Sequence, residues 1–336
     1  MKIVLDAFGG DNAPFEIVKG AVRAVNKYDD IEIVLTGKED KIRECFKTLN
    51  YNGDRISIVN CNDVINNDDV PTEAIKTKTD SSLVKAFETL KDPSVQALIS
   101  AGSTGAILTG SFLKVGRIRG ISRPCLSPVL PTKTGGKVML VDAGANVDCK
   151  PINICHFALL ASTYMKSVLG IENPKVGLLN VGTEDKKGNE FTKECFALLK
   201  EMPEINFVGN LEARDALSGN YDVILADGFN GNILLKALEG AMLFAMSEIK
   251  KEIKSNFWSK FGALFMGRAF KNIKAKLNYN NYGGSPFLGV RKIVIKSHGS
   301  SDSTTILRTI EQAKKMYETK FIETVENNIP RINVEG

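Results

Sequence analysis

Short runs that are apolar at nearly every position alternate along the chain with segments whose apolar residues recur every three to four positions. KIVLD (2–6), IEIVLTG (31–37), ISIV (56–59), VQALIS (95–100), KVMLVD (137–142), KVGLLNV (175–181), INFVG (205–209), DVILAD (222–227) and RKIVIK (291–296) are of the first kind. Runs without polar alternation suit strands covered on both faces, as in a parallel sheet flanked by helices. Residues 14–28 and 38–49 carry the helical spacing between the first of them. The pattern predicts an α/β fold, a mainly parallel sheet with helices on both sides. Residues 60–80 interrupt it: their Asn and Asp density and Pro71 read as a surface loop, either a connection or the rim of a substrate cleft.

A second interruption is residues 249–277, where a helical projection gives two apolar faces. Ile249, Ile253, Phe257, Phe261, Leu264 and Phe265 fall on one; Met266, Ala269, Phe270, Ile273 and Leu277 fall opposite. The faces exchange between Gly262 and Gly267, which predicts two helices meeting at a bend. Eight basic residues lie between Lys250 and Lys276 against one acid, Glu252. That stretch carries +7 of a net charge of +5 and leaves −2 elsewhere. Charge confined to one block does not describe a nucleic-acid groove, so no nucleic-acid partner is expected. Lysines bordering aromatics, with the only tryptophan, Trp258, among them, describe an interfacial membrane contact. Each surface lysine near anionic lipid contributes about 1 kcal/mol. The same block suits an acidic carrier protein or packing against a second subunit.

The chain has 336 residues, 43% hydrophobic and 25% charged, an ordinary globular composition. There is no repeat, low-complexity tract or flexible linker, which predicts one α/β unit over 1–330. It has at most two closely packed lobes, with 249–277 as an amphipathic insertion. No run approaches the ~18 apolar residues of a membrane span, so a cytoplasmic location is expected. Six scattered cysteines without a C-x-x-C pair, and two distant histidines, predict buried thiols and neither a zinc site nor disulfides.

Ligands of open parallel sheets bind beyond the carboxyl ends of strands, so the turns there carry the chemistry. DAFGGDNAP (6–14) follows the first strand; its glycines permit close backbone approach, and Asp11 or Asn12 is placed to cap the next helix. SAGSTGAIL (100–108) sets Ser103 and Thr104 at a helix start between Gly102 and Gly105. Amide N–H groups, hydroxyls and the helix dipole suit phosphate there, although the serine also reads as a plain N-cap. VDAGANVD (141–148) and LLNVGTEDKKGNE (178–190) place an acid and an amide beside glycine, the latter with Thr183, Glu184, Lys186 and Lys187. LADGFNGNILLKALEG (225–240) brings Asp227, Asn230 and Asn232, and KSHGSSD (296–302) brings His298 and Ser300. Such turns repeated along one sheet edge predict a large polar cleft.

The chain has no Walker A lysine, G-x-S-x-G elbow, kinase motif set or metal-ligand cluster. No cysteine sits in the loaded turns, which favours direct attack by a bound nucleophile over a covalent acyl-enzyme. Bound phosphate attacking a thioester carbonyl fits those turns.

The ordered set DAFGGDNAP, SAGSTGA, GRIRGISRPCLSPVLPT, LVDAGAN, GLLNVGTEDKKGN, DVILADGFNGNILLKALEG and YGGSPFLGV followed by HGSS resembles the PlsX family over residues 1–325. These are acyl-acyl-carrier-protein:phosphate acyltransferases. The resemblance implies a fold similar to phosphotransacetylases and isocitrate-dehydrogenase-like proteins, a homodimer, no cofactor and peripheral membrane attachment. It implies that acyl carrier protein and inorganic phosphate are the partners in the reaction. The acyl phosphate product would pass to the glycerol-3-phosphate acyltransferase that begins phospholipid synthesis. The matching binding positions are Asp6, Gly9, Gly10 and Asp11; Gly102, Ser103 and Gly105; Asp142 and Asn146; Asn180, Gly182 and Glu184; Lys236; and Gly299. Thr104, Lys187, Asp227, Asn232 and His298 are the candidates for a direct part in the chemistry. Phe257, Trp258, Phe261, Leu264, Phe265 and Phe270 are the candidates for membrane contact. The family carries Met where Phe8 stands, Asn where Ser103 stands and Gly where Ala213 stands. Two other readings remain open at this point: a phosphate acetyl- or butyryltransferase using coenzyme A, and a non-catalytic membrane scaffold for lipid enzymes.

Overall fold

The computed structural model describes residues 1–255, 257–277 and 283–329. In chain order its strands are β1 (Lys2–Asp6), β2 (Glu32–Gly37), β3 (Ile56–Asn60), β4 (Ala97–Ser100), β5 (Cys125–Leu126), β6 (Val129–Pro131), β7 (Lys137–Val141), β8 (Lys175–Asn180), β9 (Asn206–Glu212), β10 (Val223–Leu225), β11 (Ser285–Leu288) and β12 (Ile293–Lys296). The helices are α1 (Phe15–Lys27), α2 (Glu39–Thr48), α3 (Pro71–Thr77), α4 (Ser82–Leu90), α5 (Thr104–Gly110), α6 (Pro151–Ser167), α7 (Glu190–Lys200), α8 (Gly228–Ser255), α9 (Phe257–Leu277), α10 (Ser303–Glu318) and α11 (Phe321–Asn328).

Each apolar run expected to be a strand is one, but the strands divide between two sheets rather than forming one. The first has the order β3-β2-β1-β4-β12-β11-β5, and the second β6-β7-β10-β8-β9. Parallel pairing joins β3, β2, β1, β4 and β12, and also β7, β10, β8 and β9. The antiparallel members are β11 and β5 in the first sheet and β6 in the second. At two to four residues, these three strands are too short to show a hydrophobic period.

What joins the sheets is α6, buried along nearly its whole length from Asn153 to Met165. A helix apolar all round belongs in a core. It packs on β7 and β10 of the second sheet and on β11 of the first. The largest buried cluster accordingly runs from Ile3, Leu5, Ile33 and Ile99 through Phe157, Leu160 and Tyr164 to Val141, Val223 and Leu225.

Two sequence expectations need correction. Within the expected loop at 60–80, α3 forms over Pro71–Thr77: Pro71 at the first helical position presets φ, and Glu73 sits at the positive end of the helix. Local Asn and Asp density hid it, and buried Ala74 and Ile75 hold it to the core. Within 249–277 the helix boundary falls between Ser255 and Phe257, not between Gly262 and Gly267, and α9 passes through both glycines without a break. The first of its two helices, α8, already starts at Gly228. The exchange of apolar faces therefore takes place within one continuous helix rather than at a bend. Ala213 takes no left-handed backbone and opens a short 3-10 turn, so the glycine usual there is not required.

Phe157 is fully buried at the junction of the sheets. Phe157→Ala is expected to cost about 3–5 kcal/mol in urea unfolding, with a single transition retained. A cost under 1 kcal/mol would show that the junction is not one packed core.

Candidate functional site

Strands β1, β4 and β12 are neighbours and parallel, with Leu5 opposite Ile99 and Ile99 opposite Ile295. The turns that follow them therefore emerge together. Asp6 ends β1 inside the protein, where Ser100 Oγ donates to its Oδ2 at 2.7 Å and the Phe8 N–H to its Oδ1 at 3.2 Å. Burial pushes this carboxyl above its ordinary pKa. Gly102 N–H in turn donates to Ser100 Oγ at 3.0 Å, so one buried acid ties two turns. The turns meet so closely that a Cβ on Gly9 would lie 2.6 Å from Gly102 N. On Gly10, where φ is +92°, it would lie 2.8 Å from Gly299 O. Asp11 N–H donates to Gly299 O at 2.8 Å, and Asn12 Nδ2 donates to Ser300 O at 3.0 Å and Ser301 O at 3.2 Å. Neither side chain caps α1 as expected; Pro14 occupies the N-cap without a side-chain bond, and Asn12 locks the last turn instead.

The second sheet repeats the device. Asp142, at the end of β7, is fully buried. Its Oδ1 accepts from the N–H groups of Leu126 (2.9 Å), Gly144 (3.2 Å) and Ala145 (3.0 Å). Its Oδ2 accepts from Asn146 N–H (2.7 Å) and Nδ2 (2.8 Å). Burial raises this carboxyl too, against the opposing pull of those donors. Asn146 Nδ2 also reaches Pro124 O at 2.8 Å. The start of α8 is pressed onto this turn: a Cβ on Gly231 would lie 1.9 Å from Asp142 O. Asp227 accepts from Asn230 N–H and Nδ2, each at 2.7 Å, and so opens α8.

Between the two sets of turns lies a cleft of about 470 Å³. Of the residues singled out from sequence, Gly10, Asp11, Gly102, Thr104, Gly105, Asn232, Lys236, His298 and Gly299 line it. Thr104 is the first residue of α5, whose first-turn N–H groups have no acceptor within the helix. Ser103 is the N-cap without a side-chain cap bond and is not a lining residue. Lys236 pairs with Glu239 at 2.8 Å. His298 Nδ1 lies 2.8 Å from Ser300 Oγ and accepts from Ser300 N–H at 3.3 Å, which places the neutral ring's proton on Nε2. Burial and then the neighbouring Lys296 lower its pKa. One wall is apolar, formed by Leu108, Leu126, Pro128, Val129 and Leu235. Asn67 brings the 60–80 segment to the rim.

Asp6, Gly9, Asp142, Asn146 and Asp227 do not line the cleft; they hold its turns in place. Asn180, Gly182, Glu184 and Lys187 form another turn at the end of β8, two strands from β7. Asn180 Nδ2 donates to Lys187 O and to Asn210 Oδ1, both at 3.1 Å, and Asn210 Nδ2 donates to Glu184 O at 2.9 Å. The Lys187 and Glu184 side chains stand 4.0 Å apart, each more than half exposed. They are absent from the cleft lining.

Sequence reasoning missed Lys296. It ends β12, lines the cleft, and its Nζ donates to Ala101 O at 3.1 Å and to Ser297 O. Burial pulls its pKa down to about 8. Only the pairing of β12 with β4 reveals this, because a lysine closing a strand otherwise reads as solvated. None of the six thiols lines the cleft, and five are buried. Burial pushes Cys61 up to about 12 and Cys149 and Cys155 up to about 11, which leaves little reactive thiolate at neutral pH.

Away from the cleft, α8 and α9 expose Leu243, Phe244, Trp258, Phe261, Phe265 and Met266, with Trp258 and Phe265 more than three-quarters accessible. The Phe261 and Phe265 rings stack edge to face at 5.4 Å. Phe270 is half-buried, while the side chains of Phe257 and Leu264 lie outside the described residues.

Comparison with known proteins gives a consistent relationship. The fatty acid synthesis protein family model matches residues 1–324. The chain is 46% identical over 331 residues to a phosphate acyltransferase of Clostridium perfringens, covering 98% of this chain and 97% of that protein. It is also 46% identical to a phosphate acyltransferase of Clostridium botulinum, covering 98% of both. Among solved structures, a phosphotransacetylase from Streptococcus pyogenes superposes with a TM-score of 0.60 at 16% identity over 94% of both chains. A branched-chain phosphotransacylase from Enterococcus faecalis gives 0.56 at 15%, over 94% of this chain and 99% of that one. These two likenesses establish the fold.

Asp142→Asn turns an amide NH₂ or a weaker acceptor toward N–H groups that now bond a carboxylate. It is expected to lower stability by about 2–3 kcal/mol in urea unfolding. An unchanged midpoint and slope would mean that the carboxylate does not hold the turn.

Proposed function

The chain belongs to the PlsX family of fatty acid synthesis proteins, and on that footing we propose that it moves a fatty acyl group from the thioester of acyl carrier protein onto inorganic phosphate, releasing acyl phosphate. The observation that carries this reading is the cleft between the two sheets, where polar strand-end turns face an apolar wall. The glycine-rich turns, the Thr104 hydroxyl, the first-turn amides of α5 and the Lys236 ammonium are suited to a phosphate dianion. The wall of Leu108, Val129 and Leu235 is suited to the first part of a hydrocarbon chain.

In this reading both reactants sit in one cleft, and phosphate attacks the thioester carbonyl directly. Fixing the two together removes much of the entropic barrier, and N–H and O–H donors aimed at the carbonyl oxygen stabilise the oxyanion as it forms. The chain's own residues bind, orient and neutralise charge; the proposed chemistry calls for no metal or nucleotide. The basic stretch of α8 and α9 would attract an acidic carrier protein, and its exposed aromatics would rest on the cytoplasmic face of the membrane. Among the described residues no helix is long and apolar enough to cross a membrane. The product is an acid anhydride, fit for a glycerol-3-phosphate acyltransferase at the same surface, and the working form is proposed to be a homodimer.

Purified protein given palmitoyl-carrier protein should release carrier thiol only when phosphate is present; no release would overturn the reading. At equal concentration the carrier donor should outpace palmitoyl-coenzyme A, and the reverse order would favour a coenzyme A-dependent transferase. Thr104→Ala is expected to raise KM for phosphate about 10–100-fold, the scale of one hydrogen bond to a charged group. For attachment, Phe261→Asp with Phe265→Asp should abolish flotation with anionic liposomes while leaving soluble turnover unchanged. Flotation equal to the parent would contradict membrane contact through this face.

A further inference from the structure

The proposed reaction expels a thiolate, and a proton must meet it. Lys296 sits where that proton would be useful. It lines the cleft at the end of β12, and its ammonium is drawn against the carbonyls of Ala101 and Ser297 at the ends of two neighbouring strands. An ammonium has three N–H groups. Two are engaged by those carbonyls, and among the described residues no third acceptor lies within hydrogen-bond reach. We propose that Lys296 is the general acid of the reaction, giving a proton to the departing sulfur and regaining one from phosphate; this rests on the thioester-to-phosphate reading above.

The step balances without any further reactant. Hydrogen phosphate dianion attacks through an unprotonated oxygen, forming the C–O bond. The tetrahedral intermediate collapses, and the electron pair of the C–S bond leaves on sulfur. Nζ–H passes to sulfur, giving free thiol and a neutral amine. That amine takes the remaining P–OH proton, which restores the ammonium and leaves acyl phosphate as the dianion.

The other cationic or titratable side chains of the cleft are less suited. His298 is lowered by burial and by Lys296 itself, so near neutral pH its ring is uncharged. Lys236 is exposed and paired with Glu239 at 2.8 Å. The charged groups facing Lys296 are Asp6 from β1, Asp11 from the turn after it, and Lys236 from α8, with His298 on its own turn. Desolvation outweighs the attraction of the two acids and brings its pKa to about 8. That lies close to neutral pH, where a general acid is mostly protonated yet gives its proton readily.

The test is steady-state kinetics of the full chain with palmitoyl-carrier protein and phosphate from pH 6 to 10. The parent kcat should fall on the alkaline side with an apparent pKa of about 8, as Lys296 loses the proton it must give. Lys296→Met should lower kcat about 10²–10⁴-fold, remove that limb, and leave KM for phosphate within a few-fold. Lys296→Arg, which keeps the positive charge but cannot give up its proton, should be about as slow as Lys296→Met. With a palmitoyl 4-nitrothiophenyl thioester, whose sulfur leaves without a proton, the Lys296→Met deficit should shrink to less than ten-fold. Folding is checked separately. A lysine with a lowered pKa weakens the fold below about pH 8, and its contribution recovers as pH rises from there toward 10.5, its unfolded value. Lys296→Met should therefore unfold at no lower temperature than the parent at pH 7.

Parent-like kcat in Lys296→Met overturns the assignment. So does an equal deficit with both donors together with a raised KM for phosphate, which would make Lys296 a phosphate anchor. If the parent itself releases no thiol from the carrier donor, the functional reading fails, and this inference falls with it.

Discussion

Two carboxylates, Asp6 and Asp142, are buried at the ends of the first strand of each sheet's parallel core, and the cleft depends on how they are satisfied. A buried acid left unpaired would cost several kcal/mol, so the surrounding chain must deliver donors to it. At Asp142 five N–H groups from four residues converge on one side chain, which fixes β5, the turn after β7 and, through Gly231, the start of α8. At Asp6 the Ser100 hydroxyl is the relay, accepting from Gly102 while donating to the acid. The residues that line the cleft and the groups that position its turns are thus different. Asp6, Asn146 and Asp142 shape the turns, and Thr104, Asn232, Lys236 and His298 face the space between.

Much of this was legible beforehand. Runs apolar on both faces marked the parallel strands because burial on two sides leaves no polar alternation. The glycine-rich turns after them marked the cleft because close approach of backbone segments needs residues without a side chain. Three things were not legible, each for a physical reason. The division into two sheets depends on strands of two to four residues, below the length at which a period exists. The displacement of Asn180, Gly182, Glu184 and Lys187 from the cleft depends on the order of strands in the second sheet, which places β10 between β7 and β8. Lys296 depends on β12 crossing back to pair with β4, a contact between residues nearly 200 positions apart. Local pattern names the turns, and long-range pairing decides which of them meet.

The long helix α8 joins the two halves of the proposed activity. Its first turns place Asn232 and Lys236 in the cleft, and further along it exposes Leu243 and Phe244. At 28 residues it is about 42 Å long, so one continuous helix reaches from the cleft to the apolar, basic surface shared with α9.

Whether phosphate is held in the cleft between the two sheets is decided by a crystal structure of the protein grown with phosphate. Bound phosphate is expected within hydrogen-bond distance of Thr104 and the amides of the 102–105 turn, with Lys236 as its cation. Phosphate bound instead at the 180–188 turn, with the cleft left empty, would contradict it.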